Sequence, residues 1–232
     1  MIGNISSIET MGLVDGPGIR VVVFMKGCNL RCKFCHNPET WCTKEKEVWS
    51  SNELIKYVLK YKDYFKNNGG ITFSGGEPLF QPDFLLECLK LCKENDIHTC
   101  IETSGVGEDY EQILDYTDLV IFDIKDINEV SYQEMTGKDI KFSLKFLNSC
   151  QKKNKKIWIR QIIIPTINDS LEYILLLKEY IKKINNIEKI ELIPYHTMGI
   201  SKYKEYNIPY LLEGIPDMDK EELKKLEKLL LN

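Results

Sequence analysis

The chain has no alanine in 232 residues, and only three histidines and three tryptophans. With Lys, Ile, Leu and Asn abundant, the missing alanine marks a biased genome composition and excludes no function. Other shortages exclude more. No apolar run approaches the roughly 20 residues that a membrane-spanning helix needs, so no membrane role is expected. Met1 to Val14 shows no basic segment leading into an apolar one, which argues against a secretory signal and for the cytoplasm. Basic residues show no excess: 31 Lys and Arg face 35 Asp and Glu, a net charge of -4. That balance argues against a nucleic-acid binder. Repeats and long linkers are also missing. What remains, 43% hydrophobic and 28% charged, is an ordinary globular chain rather than a disordered one.

Its pattern is an alternation of strands and helices. Arg20 to Met25 is an apolar run that reads as a buried strand, as do Gly70 to Phe73, His98 to Thr103, Leu119 to Ile124, Lys156 to Ile164 and Ile187 to Ile193. Helical spacing marks Asn52 to Lys66, Phe84 to Glu94, Asp109 to Tyr116, Lys141 to Lys152, Leu171 to Lys183 and Asp219 to Leu230. Six strand–helix units in a row predict an α/β fold with a parallel sheet and right-handed crossovers. Such a sheet is either open and doubly wound or curled into an incomplete barrel. In both, chemistry belongs at the carboxyl ends of the strands. Polar and glycine clusters do follow the strands there: Gly27-Cys28, Ser74-Gly75-Gly76-Glu77, Glu102-Thr103, Asp123 with Lys125, and Tyr195-His196. The expected layout is a single domain: residues 1–18 a lead-in ending in the Asp15-Gly16-Pro17-Gly18 turn, 19–196 the six units, and 197–232 a closing segment.

Eight cysteines are present, and three of them, Cys28, Cys32 and Cys35, fall within eight residues. In a chain without a secretory signal, reduced thiols are favoured over disulfides. Three thiolates this close can wrap one compact metal centre. An iron–sulfur cubane takes one cysteine per iron, so three would leave one iron open to a ligand. The alternative is a zinc knot on Cys32 and Cys35 that recruits Cys42 or His36. Cys88 and Cys92, four apart on a helix, read as buried small hydrophobes, and Cys100 and Cys150 carry no site signal.

Cys28-x-x-x-Cys32-x-Phe34-Cys35 resembles the signature of the radical S-adenosylmethionine (SAM) enzymes. The text around it is similar to that of the glycyl-radical-enzyme activases: Asp15-Gly16-Pro17-Gly18-Ile19-Arg20, Lys26-Gly27-Cys28 and His36-Asn37-Pro38-Glu39-Thr40-Trp41. Further matches are Ser74 to Pro78, His98 to Cys100, Asp123-Ile124-Lys125, Ile157 to Arg160 and Glu191 to His196, so the resemblance covers essentially the whole chain. Only Cys42 lies between Cys35 and the second strand, so the ferredoxin-like insert of some activases is missing, which favours the pyruvate formate-lyase type.

The resemblance implies a partial (β/α)6 barrel, a 4Fe–4S cluster on Cys28, Cys32 and Cys35, and SAM chelating the fourth iron. Reductive cleavage of SAM would give a 5′-deoxyadenosyl radical that takes hydrogen from a glycine α-carbon of a partner, pyruvate formate-lyase first among the candidates. The electron would come from flavodoxin or ferredoxin, and the activase would act as a monomer. The same resemblance implies SAM contacts at Phe34, His36, Gly75, Gly76, Glu77, Asp123, Ile124, Lys125 and His196. Glu102 and Thr103 stand where the family usually has Asp-Thr, a pair that with the aspartate at position 123 helps hold a monovalent cation. The longer Glu102 puts that cation in question. Arg160 and Asp15 match positions near the entering partner peptide. Two rival readings are a radical SAM enzyme with a small-molecule substrate and a non-catalytic zinc module; the filled rim of strand ends speaks against the second.

Overall fold

The computed structural model describes residues 1–41 and 47–231. Cys42, considered above as a zinc ligand, lies outside the described residues. Eight strands form one sheet in the order β3-β1-β2-β4-β5-β6-β7-β8. They are β1 Ile2–Gly12, β2 Arg20–Met25, β3 Glu47–Ser50, β4 Gly70–Gly75, β5 His98–Thr103, β6 Leu119–Asp123, β7 Lys156–Ile163 and β8 Ile187–Pro194. From β2 to β8 every pairing is parallel. β1 pairs antiparallel with both β2 and β3.

The helices are α1 Ser51–Val58, α2 Lys62–Phe65, α3 Pro82–Glu94, α4 Tyr110–Asp115, α5 Glu129–Thr136, α6 Ile140–Lys152, α7 Leu171–Ile181, α8 Ile200–Glu205 and α9 Lys220–Leu231. The expected lead-in is therefore corrected: most of residues 1–18 is an eleven-residue strand. Its burial alternation changes phase at a bulge between Ile5 and Ser7 and its sequence is largely polar, so the period-2 signal is weak. The long helix expected over Asn52 to Lys66 breaks at a 3-10 turn, Leu59–Tyr61, into α1 and α2.

One end of the sheet is closed by Arg20, whose side chain is fully buried. Its guanidinium donates to Thr72 Oγ1 at 2.6 Å, to Pro17 O at 3.0 Å and to the carbonyls of Ile71 and His98. Thr72 in turn donates to Asp15 O. The Asp15 to Gly18 turn is thereby tied to the start of β2, β4 and β5. This accounts physically for Asp-Gly-Pro-Gly followed by Arg: a positive φ of 123° at Gly16 brings its backbone against the Arg20 side chain, where a Cβ would lie 2.9 Å from Cδ.

His98 Nδ1 lies 3.3 Å from the Arg20 guanidinium and accepts from it only while the ring is neutral. Burial, and then the Arg20 charge, lower its pKa. The folded protein prefers the neutral ring, so this stabilisation is intact above the unfolded value of about 6.5 and is lost as pH falls through that value towards the folded one. The melting temperature should fall on acidification from about pH 7 to about pH 5. His98→Gln should flatten that slope; a slope as steep as the parent's would assign the loss to other groups.

Candidate functional site

The opposite end of the sheet carries the site. β2 runs into residues 26–37, which hold all three clustered cysteines, and two helices clasp this loop. The last turn of α5 lends it carbonyls that would otherwise lack donors: Arg31 N–H donates to Thr136 O at 2.8 Å and Lys33 N–H to Met135 O at 2.9 Å. α8 holds the far end, where Tyr203 Oη donates to Cys35 O at 2.9 Å and Lys202 pairs with Glu39 and Asn37. Both helices went unnoticed in the sequence. α5 had a usable signal, since Asn128 caps its start and Gly137, at φ 74°, ends it.

Cys28, Cys32 and Cys35 line one cleft of about 190 Å³, together with Phe34, His36, Gly75, Gly76, Glu77, Glu102, Thr103, Asp123 and Lys125. The rim residues of four strands thus meet as expected. Asn37, Trp41 and Ser74, named in the sequence only as parts of motifs, complete the wall with Leu30, Ser104 and Ile162, which were not singled out. Ile124, Arg160, His196 and Asp15 do not line the cleft. Ile124 is buried, with its N–H donated to Arg160 O at 2.8 Å. His196 packs its ring edge-on 3.9 Å from that of His36, and His36 Nε2 lies 3.0 Å from His196 O. The Nδ1 of His196 is buried without a partner.

All three thiols are free, and burial pushes Cys28 and Cys32 up to about 12 and raises Cys35. Lys125 acts the other way on each of them. Such thiols ionise only with a metal bound beside them, as a thiolate-held cluster requires. Among the described residues, no three His, Cys, Asp or Glu converge on a point that would hold a single metal ion. The three sulfurs share one cleft, and three thiolates are the donor set that a cubane with one open iron takes.

The glycines are needed for a reason that the sequence did not reveal. A Cβ on Gly75, at φ 108°, would lie 2.4 Å from Met25 N, and one on Gly76 would lie 2.2 Å from Gly27 O. What approaches them closely is β2 and the head of the cysteine loop. Gly76→Ala should therefore push that loop outward and cost about 1–3 kcal/mol, because the obstacle is backbone. The expected result is a lower melting temperature and a lower iron content per chain after reconstitution, and normal iron loading would count against this reading.

Glu77 is 2% exposed and saturated with donors. Leu79 N–H and Thr103 Oγ1 donate to one carboxylate oxygen, and Ser104 N–H and Oγ to the other. It staples the turn after β4 to the turn after β5. Lys125 Nζ meets Asp123 at 3.1 Å and lies 5.8 Å from the centre of the Phe34 ring. Burial works to lower the Lys125 pKa, but Asp123, Cys32 and Glu102 together outweigh it and the amine stays charged. Glu102 accepts from Ser74 Oγ and from Arg160. Burial, then Asp123, raise the Glu102 carboxyl, and Arg160 opposes them. Arg160 also reaches Glu191 at 3.0 Å, Asp15 at 3.5 Å and Val14 O.

An open, mostly parallel sheet with a three-cysteine loop at its carboxyl rim defines the radical SAM class, and the chain belongs to it: the Radical SAM superfamily model matches residues 22–178. A solved Streptococcus suis SuiB, bound to its precursor peptide, shares the fold at a TM-score of 0.68 and 19% identity over 90% of this chain and 44% of that one. Curated relatives narrow the assignment. The chain is 52% identical to the pyruvate formate-lyase-activating enzyme of Clostridium pasteurianum over 99% of this chain and 98% of that protein. It is 41% identical to the enzyme of the same name from Listeria monocytogenes over 99% and 96%. It is a member of the pyruvate formate-lyase-activating enzyme family.

Proposed function

We propose that this protein activates pyruvate formate-lyase by removing one hydrogen atom from the α-carbon of a specific glycine, which leaves a glycyl radical on the partner. The observation that carries this reading is the meeting of the three free thiols with the Gly-Gly-Glu, Glu102-Thr103 and Asp123/Lys125 strand ends around one cleft. Near full-length identity to enzymes of that name supports the choice of partner. When bound, a 4Fe–4S cluster with SAM on its open iron supplies the electron that splits the sulfonium and the carbon radical that accepts the hydrogen.

The chain's own residues position and shield. Cys28, Cys32 and Cys35 hold the cluster. Phe34 and His36 wall the adenine side, with His196 packed behind His36. Lys125, kept charged by Asp123, presents a cation to the carboxylate of SAM, and Asp123 accepts from the ribose hydroxyls. Gly75 and Gly76 bring the turn after β4 beside the cysteine loop, so its backbone faces the methionine amino group. Glu77 fixes that turn through its four donors. Leu30 and Ile162 supply apolar wall that excludes water from the radical. Asp15 meets Arg160, the partner of Glu102, at 3.5 Å, and the resemblance assigns it to the entering partner peptide. A flavodoxin or ferredoxin would supply the electron. The protein works as a monomer in the cytoplasm; no helix among the described residues is long and apolar enough to cross a membrane.

The test is electron paramagnetic resonance on anaerobically reconstituted, reduced protein mixed with SAM and pyruvate formate-lyase. The expected result is a cluster signal that changes with SAM, followed by a glycyl-radical doublet. A SAM-responsive cluster with no doublet would overturn the choice of partner, and transfer of deuterium from a labelled substrate into 5′-deoxyadenosine would then identify the true hydrogen donor.

A further inference from the structure

We propose that the Arg160 guanidinium, seated against Glu102, Asp15 and Glu191, is an internal substitute for a bound monovalent cation, so that SAM binding here is indifferent to the cations in solution. The inference rests on the SAM site proposed above. It starts from a misfit: both carboxylate oxygens of Glu102 and the hydroxyl of Thr103, where the resemblance implies a cation, already serve other groups, and one oxygen of Asp123 is held by Lys125.

Glu102 spends one carboxylate oxygen on Arg160 and the other on Ser74 Oγ. Thr103 Oγ1 donates to Glu77 and accepts from Gly105 N–H at 2.9 Å. Asp123 faces the Lys125 ammonium at 3.1 Å. A monovalent cation needs several oxygens free to turn towards it, and here it would have to displace one of two fixed positive side chains. No three acidic, His or Cys side chains among the described residues converge on a point that would hold an ion.

The charge arrangement leads to the same assignment. Four carboxylates, Asp15, Glu102, Asp123 and Glu191, gather beside and beneath a cleft that must accept the carboxylate of SAM. Left alone they would repel it. Arg160 touches three of them, and Lys125 takes the fourth. Arg160 sits on β7 level with Asp123 on one side and Glu191 on the other, at 8% side-chain exposure. Glu102 must be a glutamate for this arrangement: an aspartate is one methylene shorter and would draw back from the guanidinium. The longer side chain and the internal cation form one device, and Arg160 is a positioning residue acting on SAM through Glu102.

The experiment measures the SAM dissociation constant of anaerobically reconstituted protein, from the SAM-induced change in the reduced-cluster signal. KCl, NaCl and choline chloride are compared at equal ionic strength so that screening is constant. The parent should bind SAM equally within about twofold in all three salts. Glu102→Asp should bind at least about fivefold tighter in KCl than in choline chloride. Arg160→Gln should bind weakly in choline chloride and recover in part with KCl. A parent that binds SAM about fivefold or more tighter in KCl overturns the inference while leaving the SAM site intact. A Glu102→Asp protein as indifferent to salt as its parent overturns the assignment to the Arg160–Glu102 pair. If either variant fails to fold, the parent's salt comparison still decides. No SAM binding in any salt would defeat the site itself, and this inference with it.

Discussion

Cys32→Ala is expected to yield a folded, colourless protein that generates no glycyl radical. The side chain is small and sits in the loop that follows β2, so its removal opens little space and the sheet stands without it. What is lost is one of the three thiols facing the cleft, and the remaining Cys28 and Cys35 cannot grip a cubane by two corners. Activation should fall to background, with iron per chain falling in parallel. Cys150→Ala is the control. That thiol is fully buried in the core away from the cleft and is pushed up to about 12 by burial. Its truncation should cost about 1 kcal/mol of stability and leave iron loading unchanged. Equal iron loss in both variants would show that the loop cysteines are not a distinct set.

Arg20→Met should be the most destabilising single change. It removes the donors that satisfy Thr72 Oγ1 and the carbonyls of Pro17, Ile71 and His98 at the closed end of the sheet. Water cannot replace them where the native side chain has no exposure. Leaving such acceptors unpaired should cost about 3–5 kcal/mol, a fall in melting temperature of roughly 10 °C for a chain of this size. The methionine fills much of the volume, so the loss reports the hydrogen bonds and not a cavity. The Asp15 to Gly18 turn hangs from Arg20, so Asp15 should shift as well, and residual activity should fall even at temperatures where the variant is folded. A variant that melts within a degree or two of its parent would mean that the guanidinium is replaceable.

Much of this was legible in the sequence. β5 runs from His98 to Thr103 as expected, and the other five parallel strands agree within two residues. They are apolar runs ended by proline, glycine or charge, and nothing competes with that signal. The cleft was legible too, because a parallel sheet puts every strand's carboxyl end on one rim. β1 was not. It is mostly polar, and its antiparallel contacts with β2 and β3 make it a strand. α5 and α8 were missed because each is short and weakly patterned, held by the loop it clasps more than by an apolar face. The glycines at 75 and 76 were recognised, but not their second neighbour: distances to Met25 and Gly27 exist only once β2 and β4 lie side by side. Glu102 reads in sequence as a lengthened aspartate, and only the fold brings Arg160, 58 positions away, against it.

The sheet's unclosed ends bear on how the protein survives at high concentration. A sheet that does not close on itself has two margins of unpaired backbone, each a template on which another chain could polymerise. One margin is β3, only four residues long and opened by Glu47. The other is β8, where Glu188, Lys189 and Glu191 break the apolar run Ile187, Ile190 and Leu192, and Lys189 pairs with Glu191 at 2.5 Å. A short strand and a charged one are poor seeds for edge-to-edge stacking. The fold can therefore leave its flank open without inviting fibrils. Neutralising Glu188 and Lys189 together would remove that protection and leave the Arg160–Glu191 contact and the cleft lining in place.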